Sequence, residues 1–365
     1  MLSTGSLEPS EKQPGPSLAP PPPGRAPYKT YAVFIPLGVV VLAALAWTGF
    51  WFHASSVARA TLSGWQEREA KLGRQFRCGS QTIGGYPFRF EVRCQDAAAD
   101  LPEASPPLQI RAKQLLTVSQ IYQPLLILAE ITAPLTVGEV GAKAPLVADW
   151  TLAQVSLAGL PTRPERVSTA VDNLKLSQPG GDALFFAKHA ELHARVDPQS
   201  PPDQLVLDVA ARLEQATSAV AGPVLDQAVG LELSTVVHGL KDLNPKPVAE
   251  LLRQLAAAGG DLQVVRARIA RGTMLIDATG TLRLSQEGRL DGRLEVTVAG
   301  IDFRLMERAL PQLKANAGPV GIGLLALLGQ QTTLEGRPAV SMPLRFSEGA
   351  AFLGPLPLGR TPALF

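Results

Sequence analysis

Residues 88–95 read FRFEVRCQ, and apolar and polar side chains alternate through the whole stretch. Alternation of this kind places every second side chain on the same side of an extended chain. The pattern therefore predicts a half-buried β-strand with two unlike faces. The apolar face carries Phe88, Phe90, Val92 and Cys94, and the solvated face carries Arg89, Glu91, Arg93 and Gln95.

A shorter strand is predicted just before this one. Residues 76–80 also alternate, and residues 84–87 (GGYP) have the glycines and proline of a turn. The two segments therefore form a predicted β-hairpin.

Each arm of the hairpin carries one cysteine, Cys78 and Cys94, and the chain has only these 2. A hairpin brings them within bridging distance, so we expect a Cys78–Cys94 disulfide in an oxidising compartment. The alternative is a pair of free thiols in a reducing cytoplasm. A metal site would need further ligands nearby, and the sequence offers none there.

The hairpin follows an apolar segment. Residues 31–52 (YAVFIPLGVVVLAALAWTGFWF) contain no charged residue over the length that a helix needs to cross a bilayer. Aromatic rings stand at both ends, as they do at membrane interfaces. A cleaved signal peptide is the alternative, but its apolar core is shorter and is followed by small residues. We therefore predict a transmembrane helix over 31–52.

The chain divides around this predicted span. Residues 1–30, with their Ser, Gly and Pro, predict a disordered cytoplasmic tail. Residues 53–73 predict a membrane-proximal helix that Gly73 ends. Residues 74–365 predict a periplasmic β-rich domain.

The run CGSQTIGGYPFRFEVRC (78–94), behind an apolar segment and a helix containing Gly64 and Trp65, resembles an uncharacterised bacterial envelope family, domain of unknown function family 2125. This resemblance implies an inner-membrane-anchored periplasmic domain without an established activity. The GYPF motif and the repeated amphipathic strands are also loosely similar to AsmA-like and phospholipid-binding envelope proteins.

The rest of the chain is divided by Pro, Gly and Asp into strand-length segments that approach alternation with period two. The predicted strands cover 108–118, 125–131, 146–157, 167–176, 184–196, 205–213, 231–240, 262–269, 274–284, 289–298 and 339–346. The predicted helices cover 246–258, 302–315 and 320–328, and residues 354–365 (GPLPLGRTPALF) are predicted as a tail.

This pattern predicts a mainly β fold with a few helices, in which an extended antiparallel sheet has one apolar and one polar face. Such a sheet hides its apolar face in one of two ways. It packs on a second sheet as a sandwich, or it curls into a groove that a hydrophobic ligand fills. The sequence leaves both alternatives open.

The composition argues against one class of function. With 365 residues and a formal net charge of only +2, the chain lacks the basic character of a nucleic-acid binder. No GxSxG elbow, P-loop or dinucleotide-binding glycine pattern appears. We expect no enzyme, no catalytic residue, no cofactor and no metal.

The histidines were the remaining candidates for chemistry. His189 and His193 in HAELH have a spacing of four, but the motif lacks the glutamate position of the zinc-protease helix HExxH. Read as a strand, 184–196 places both histidines on the solvated face. His53 follows the predicted span, and His238 stands in a strand without acidic neighbours.

We therefore expect an inner-membrane-anchored periplasmic envelope protein that binds or handles lipid. The expected partners are the inner membrane, a phospholipid or other acyl ligand, and other envelope proteins. The alternative is a scaffolding partner of envelope proteins without a small ligand.

Overall fold

The structure is a computed structural model that describes residues 31–102, 104, 106–139, 144–159, 164–201, 203–243, 246–300 and 329–365. The chain forms two compact units, residues 1–53 and residues 54–365. The predicted tail over 1–30 and the predicted helices over 302–315 and 320–328 lie outside the described residues.

One continuous helix, α1 (Tyr31–Lys71), contains both the predicted span and the predicted membrane-proximal helix. Pro36 lies in its first turns, and Thr48 donates its hydroxyl hydrogen to the Ala44 carbonyl at 2.7 Å. The helix ends at Lys71, two residues before the predicted terminating glycine Gly73, whose φ of 77° is accessible to glycine without strain.

The predicted hairpin is confirmed. Its first arm is split into β1 (Gln75–Arg77) and β2 (Ser80–Gly84), and both pair with β3 (Arg89–Leu101). Cys78 lies in the gap between β1 and β2 and forms a disulfide with Cys94 of β3, with a Cα–Cα distance of 5.4 Å. The disulfide joins the start of the sheet to its first long strand.

All described strands belong to one antiparallel sheet, and nearly every strand pairs with its neighbour in sequence. The remaining strands are β4 (Leu108–Gln120), β5 (Gln123–Glu139), β6 (Leu146–Asp149), β7 (Leu152–Ala158), β8 (Arg166–Ser177), β9 (Ala183–Val196), β10 (Leu205–Ser218), β11 (Val229–Leu240), β12 (Asp261–Arg271), β13 (Met274–Leu284), β14 (Leu290–Ala299), β15 (Gln330–Leu334), β16 (Arg337–Ser347), β17 (Ala350–Leu353) and β18 (Leu356–Arg360). This order is that of an up-and-down meander.

The segment 146–157 was predicted as one strand, and this prediction is wrong. The strand breaks at Trp150 and Thr151 into β6 and β7, which pair with different parts of β5. The Trp150 indole N–H donates to the Ile131 carbonyl at 2.8 Å, and the Thr151 backbone N–H donates to the Asp172 carbonyl at 2.9 Å. These two bonds hold the chain out of the regular ladder.

The end of the chain also differs from the prediction. Within the predicted tail, β18 pairs with β17 and carries Pro357. Proline has no backbone N–H to donate, so it fits a strand that pairs on one side. The tail signal of proline and glycine therefore marked an edge strand.

One end of the sheet is covered by the second helix, α2 (Val248–Ala257), which confirms the helix predicted over 246–258. Leu251 and Leu255 of α2 pack with Val196, Leu205 and Leu240. A Cβ on Gly260 would lie 2.4 Å from the His238 backbone carbonyl oxygen, so the close approach of the chain after α2 to β11 requires glycine there.

Candidate functional site

The register places one unbroken row of uncharged side chains across the sheet, from β3 to β16. Residues paired across antiparallel strands project from the same face. We call this set the middle row: Val92, Thr117, Ala129, Val155, Thr169, Leu192, Ala211, Leu233, Ala267, Ala278, Val296 and Met342.

A second uncharged row runs beside the first, two residues away along each regular strand. We call it the outer row: Phe90, Ser119, Ile127, Leu157, Val167, Ala194, Val209, Thr235, Val264, Gly280, Leu294, Leu344 and Leu353. The two rows together define the apolar face.

One extra residue in β12 keeps the middle row and the outer row on the same face of the sheet. Val264 and Ala267 pair with Gly280 and Ala278, so that two residues of β12 oppose one residue of β13. Such a bulge allows both rows to continue on the same face. The exposed Val265 lies within it.

Much of the apolar face remains accessible to solvent. Ala278 and Met342 are the buried members of the middle row, and Thr235 and Val264 are those of the outer row. Leu192, at the centre of the middle row, is 47% exposed. The other members are half-buried.

This exposure differs from that of a sandwich core, in which inward-facing side chains interdigitate with a second layer. The buried clusters among the described residues are small and lie at the margins of the sheet, beneath α2 and around Val340 and Leu275. The described chain therefore presents a long apolar face that it does not fully cover.

The opposite face carries charge. The row directly behind the middle row, which we call the charged row, is Arg93, Leu116, Glu130, Gln154, Ala170, Glu191, Arg212, Glu232, Arg268, Asp277, Thr297 and Ser341. Its signs alternate from Glu191 to Asp277. Cross-strand neighbours of opposite sign favour this register, whereas like charges oppose it.

Both histidines of the HAELH motif lie on this charged face, as predicted. The His189 ring contacts Asp172 of β8 through Nδ1 at 2.5 Å and Glu191 through Nε2 at 2.9 Å. His193 Nε2 lies 3.7 Å from the second oxygen of Glu191. On the next strand Arg212 pairs with Glu214 at 2.8 Å.

Hydrogen bonds to Glu191 and then to Asp172 raise the pKa of His189 above its usual value, because both favour the protonated ring. The hydrogen bond from His189 lowers the pKa of Glu191. His189 and Glu191 therefore form an ion pair, and both are charged at a mildly acidic pH, between the lowered pKa of the carboxyl and the raised pKa of the imidazole. These groups already bond one another.

One statement about histidine from the sequence is wrong. His238 was expected to lack acidic neighbours, but its Nδ1 lies 2.8 Å from Asp261 of β12. The two residues are 23 positions apart and meet because β11 and β12 pair. Spacing in the sequence carried no signal of this contact.

Two depressions lie on the charged side of the sheet. One, of about 310 Å³, is lined by Arg212, Glu214 and Arg268 among others, and the other, of about 580 Å³, by Thr281 and Arg293 among others. Among the described residues, no group of three or more His, Cys, Asp or Glu side chains is arranged to hold a metal ion.

Of the described helices, only α1 is long and apolar enough to cross a membrane, over Phe34–Lys71 with a mean hydropathy of 1.9 in its most apolar window. It has the length and composition of a membrane anchor or of a signal sequence. Fold and site thus define a class: a mainly β protein with an N-terminal apolar helix and a long sheet with one uncharged face.

Within this class, the chain belongs to the family of uncharacterized proteins conserved in bacteria (DUF2125), whose model matches residues 51–362. No curated protein and no solved structure matches the chain. The resemblance based on the hairpin motif is therefore confirmed, while the looser similarity to AsmA-like proteins is not shown by these comparisons.

Proposed function

We propose that this protein is an inner-membrane-anchored component of envelope biogenesis that binds or handles lipid in the periplasm. The observation that carries the proposal is the apolar face, which crosses the sheet from β3 to β16 without a charged residue and stays partly exposed. Exposed apolar surface of this extent is typical of interaction sites.

The dimensions of the apolar face suit an acyl chain. The middle row crosses eleven strand spacings of about 4.8 Å, a path of about 50 Å along the sheet. Each methylene removed from water contributes about 0.8 kcal/mol, so ten methylenes half-covered by the face gain about 4 kcal/mol. Neither row carries a charged group, and the Thr117 and Thr235 hydroxyls donate to backbone carbonyls of neighbouring strands.

The rest of the chain supports the proposed location. An N-terminal anchor would tether the β-rich domain to a membrane, which is a source of lipid, and a disulfide forms and persists in oxidising compartments such as the periplasm. We infer that the β-rich domain over residues 74–365 lies in the periplasm, with residues 1–30 in the cytoplasm. No reaction is assigned to the protein.

The proposal is tested by a photoreactive amino acid placed on either face of the sheet in living cells. Leu192 projects from the apolar face and is 47% exposed, whereas Leu128 projects from the charged face and is 50% exposed. We expect phospholipid to be crosslinked at position 192 and not at position 128, with the adduct identified by mass spectrometry.

Other results would decide against lipid binding. A crosslink from position 192 to one envelope protein, without lipid, would favour the scaffolding alternative. Equal lipid labelling at both positions would mean that the protein only lies near the bilayer, and it would overturn the assignment of the apolar face.

A further inference from the structure

The helix α2 covers one part of the apolar face. A third uncharged row lies two residues beyond the outer row, and we call it the margin row: Val196, Leu207, Val237, Leu262 and Leu282. Leu251 and Leu255 of α2 pack in one hydrophobic cluster with the first three members of this row. The effect on exposure is large within a single strand, since Val196 is 8% exposed and Leu192, on the same face of β9, is 47% exposed.

The contact between α2 and the margin row is the kind that an acyl chain would make. Leucine side chains offer methyl and methylene groups, and their burial against apolar side chains has no preferred direction. The helix thus occupies a part of the apolar face that a lipid ligand would otherwise cover.

The chain leaves the sheet for α2 and returns to it at one point. His238 and Asp261 pair across β11 and β12, so residues 239–260, which we call the α2 segment, begin and end side by side. Gly239 has a φ of 85°, and a Cβ on it would lie 2.9 Å from the Cα of Gly260. Glycines in which the two ends meet backbone to backbone give the segment a narrow base about which it can turn.

The polar side chains of α2 bond within the α2 segment. Gln254 accepts a hydrogen bond from Lys246 at 2.7 Å, and Arg253 pairs with Glu250 at 2.6 Å. In the part of the chain that the structure describes, no side chain of α2 forms a hydrogen bond or an ion pair with a strand. The side chains of α2 therefore hold it to the sheet by apolar contact, and moving the helix breaks no polar side-chain bond to the strands.

A second contact of α2 is with residues 361–365, which we call the latch. The Leu364 backbone N–H donates to the Gly288 carbonyl, in the turn between β13 and β14, at 2.9 Å. The next residue places the Phe365 ring centre 5.8 Å from the Arg253 guanidinium, within the range of a cation–π contact. The latch therefore joins α2 to a turn of the sheet.

We propose that α2 is a displaceable cover of the apolar face, which the latch holds closed and which an acyl ligand moves aside when it binds the margin row. The inference rests on the proposed lipid binding. The acyl chain replaces the leucine contacts that the margin row loses, so the latch is the main contact that opening must break. One exposed cation–π contact and one backbone hydrogen bond are weak enough for a ligand to do so.

Hydrogen exchange followed by mass spectrometry measures the opening of α2 in the full chain in nanodiscs. Phe365→Ala removes the ring beside Arg253, and Leu364→Ala is the matched control, because the Leu364 side chain is 44% exposed. We expect Phe365→Ala to speed exchange of the backbone amides of residues 251–258 about fivefold, and Leu364→Ala to change it by less than about twofold. Arg253→Gln removes the same contact from its other partner and should act like Phe365→Ala, while unchanged exchange in β5 reports an intact sheet.

Pyrene-labelled palmitic acid tests whether opening is coupled to binding. Saturating probe should speed exchange of residues 251–258 in the parent protein, because the ligand displaces α2. Phe365→Ala should lower the Kd of the probe about fivefold, because the ligand no longer has to break the latch. A latch with only a structural role would leave the Kd unchanged or raise it.

The contrary results are distinct. Slower exchange of α2 with saturating probe would mean that the helix closes over the ligand, and it would overturn the proposal. Faster exchange in Phe365→Ala without a lower Kd would overturn it as well. Binding by the parent protein with unchanged exchange of α2 would reject only the displacement, whereas absence of binding by both the parent and Phe365→Ala would reject the proposed function itself.

Discussion

A charge placed on the apolar face should weaken lipid binding while leaving the fold intact. Leu192 is suited to this test, because it lies at the centre of the middle row and about half of its surface is already in water. Full burial of a leucine side chain contributes about 2 kcal/mol. A ligand that covers the 47% still exposed therefore gains about 1 kcal/mol from this residue.

That magnitude sets the expected change in affinity. Leu192→Ala should raise the Kd for an acyl ligand about fivefold, since about 1.4 kcal/mol corresponds to a factor of ten. Leu192→Asp should raise it more than about tenfold, because a carboxylate held against an acyl chain loses hydration without gaining a partner. The matched control Leu128→Asp, which lies on the charged face in the same strand as Glu130, should leave the Kd unchanged.

The Kd is measured with a fluorescent acyl-chain probe added to the full chain in nanodiscs, after subtraction of empty nanodiscs. The midpoint of urea unfolding and the disulfide report folding of each variant. The reasoning would be refuted if folded Leu192→Asp bound the probe within about twofold of the parent, or if both aspartate variants weakened binding equally.

Further predictions concern stability. Removing the Cys78–Cys94 disulfide by serine substitution at both positions should lower the free energy of unfolding by about 3 kcal/mol, because the bond closes a short loop; reductant should have no effect on that variant in urea unfolding. Because the pKa of His189 is raised in the folded state, its ion pair contributes fully to the free energy of unfolding below the unfolded pKa near 6.5, and this contribution is lost as pH rises through the folded pKa. The contribution should be less than about 1 kcal/mol, and His189→Gln should remove this pH dependence from unfolding curves recorded at a series of pH values. Gly280→Ala should destabilise by more than about 1 kcal/mol, because its φ is 148° and a Cβ would lie 2.2 Å from a carbonyl oxygen of β14. Gly181→Ala is the control and should be near neutral in thermal unfolding, because its Cβ would lie 3.5 Å from the Gln178 carbonyl oxygen, an ordinary van der Waals distance.

Much of the fold followed from local patterns. The alternation in 88–95 identified β3 and its two faces, and the turn residues before it identified the hairpin and the cysteine pair. Strands such as β13 (Met274–Leu284) were predicted with their observed bounds. These features depend on contacts between residues close in sequence, which a strand pattern or a turn encodes directly.

The breaks in the pattern were harder to predict. The bond between the Trp150 indole and the Ile131 carbonyl divides one predicted strand, and the two residues are 19 positions apart. His238 and Asp261 are separated in the sequence by α2, and their contact likewise depends on the pairing of β11 with β12. Neither partner could be chosen from the sequence, because register between strands is a tertiary property.

By itself, the sequence determined an apolar helix followed by many two-faced strands, because a period of two fixes which side chains share a face within each strand. Only the tertiary structure decided that these faces join into rows from Val92 to Met342 and that the rows stay partly uncovered. The physical reason is that a shift of one residue in any pairing would move a whole strand's apolar side chains to the other face. The continuity of the apolar face is therefore a property of all the registers together.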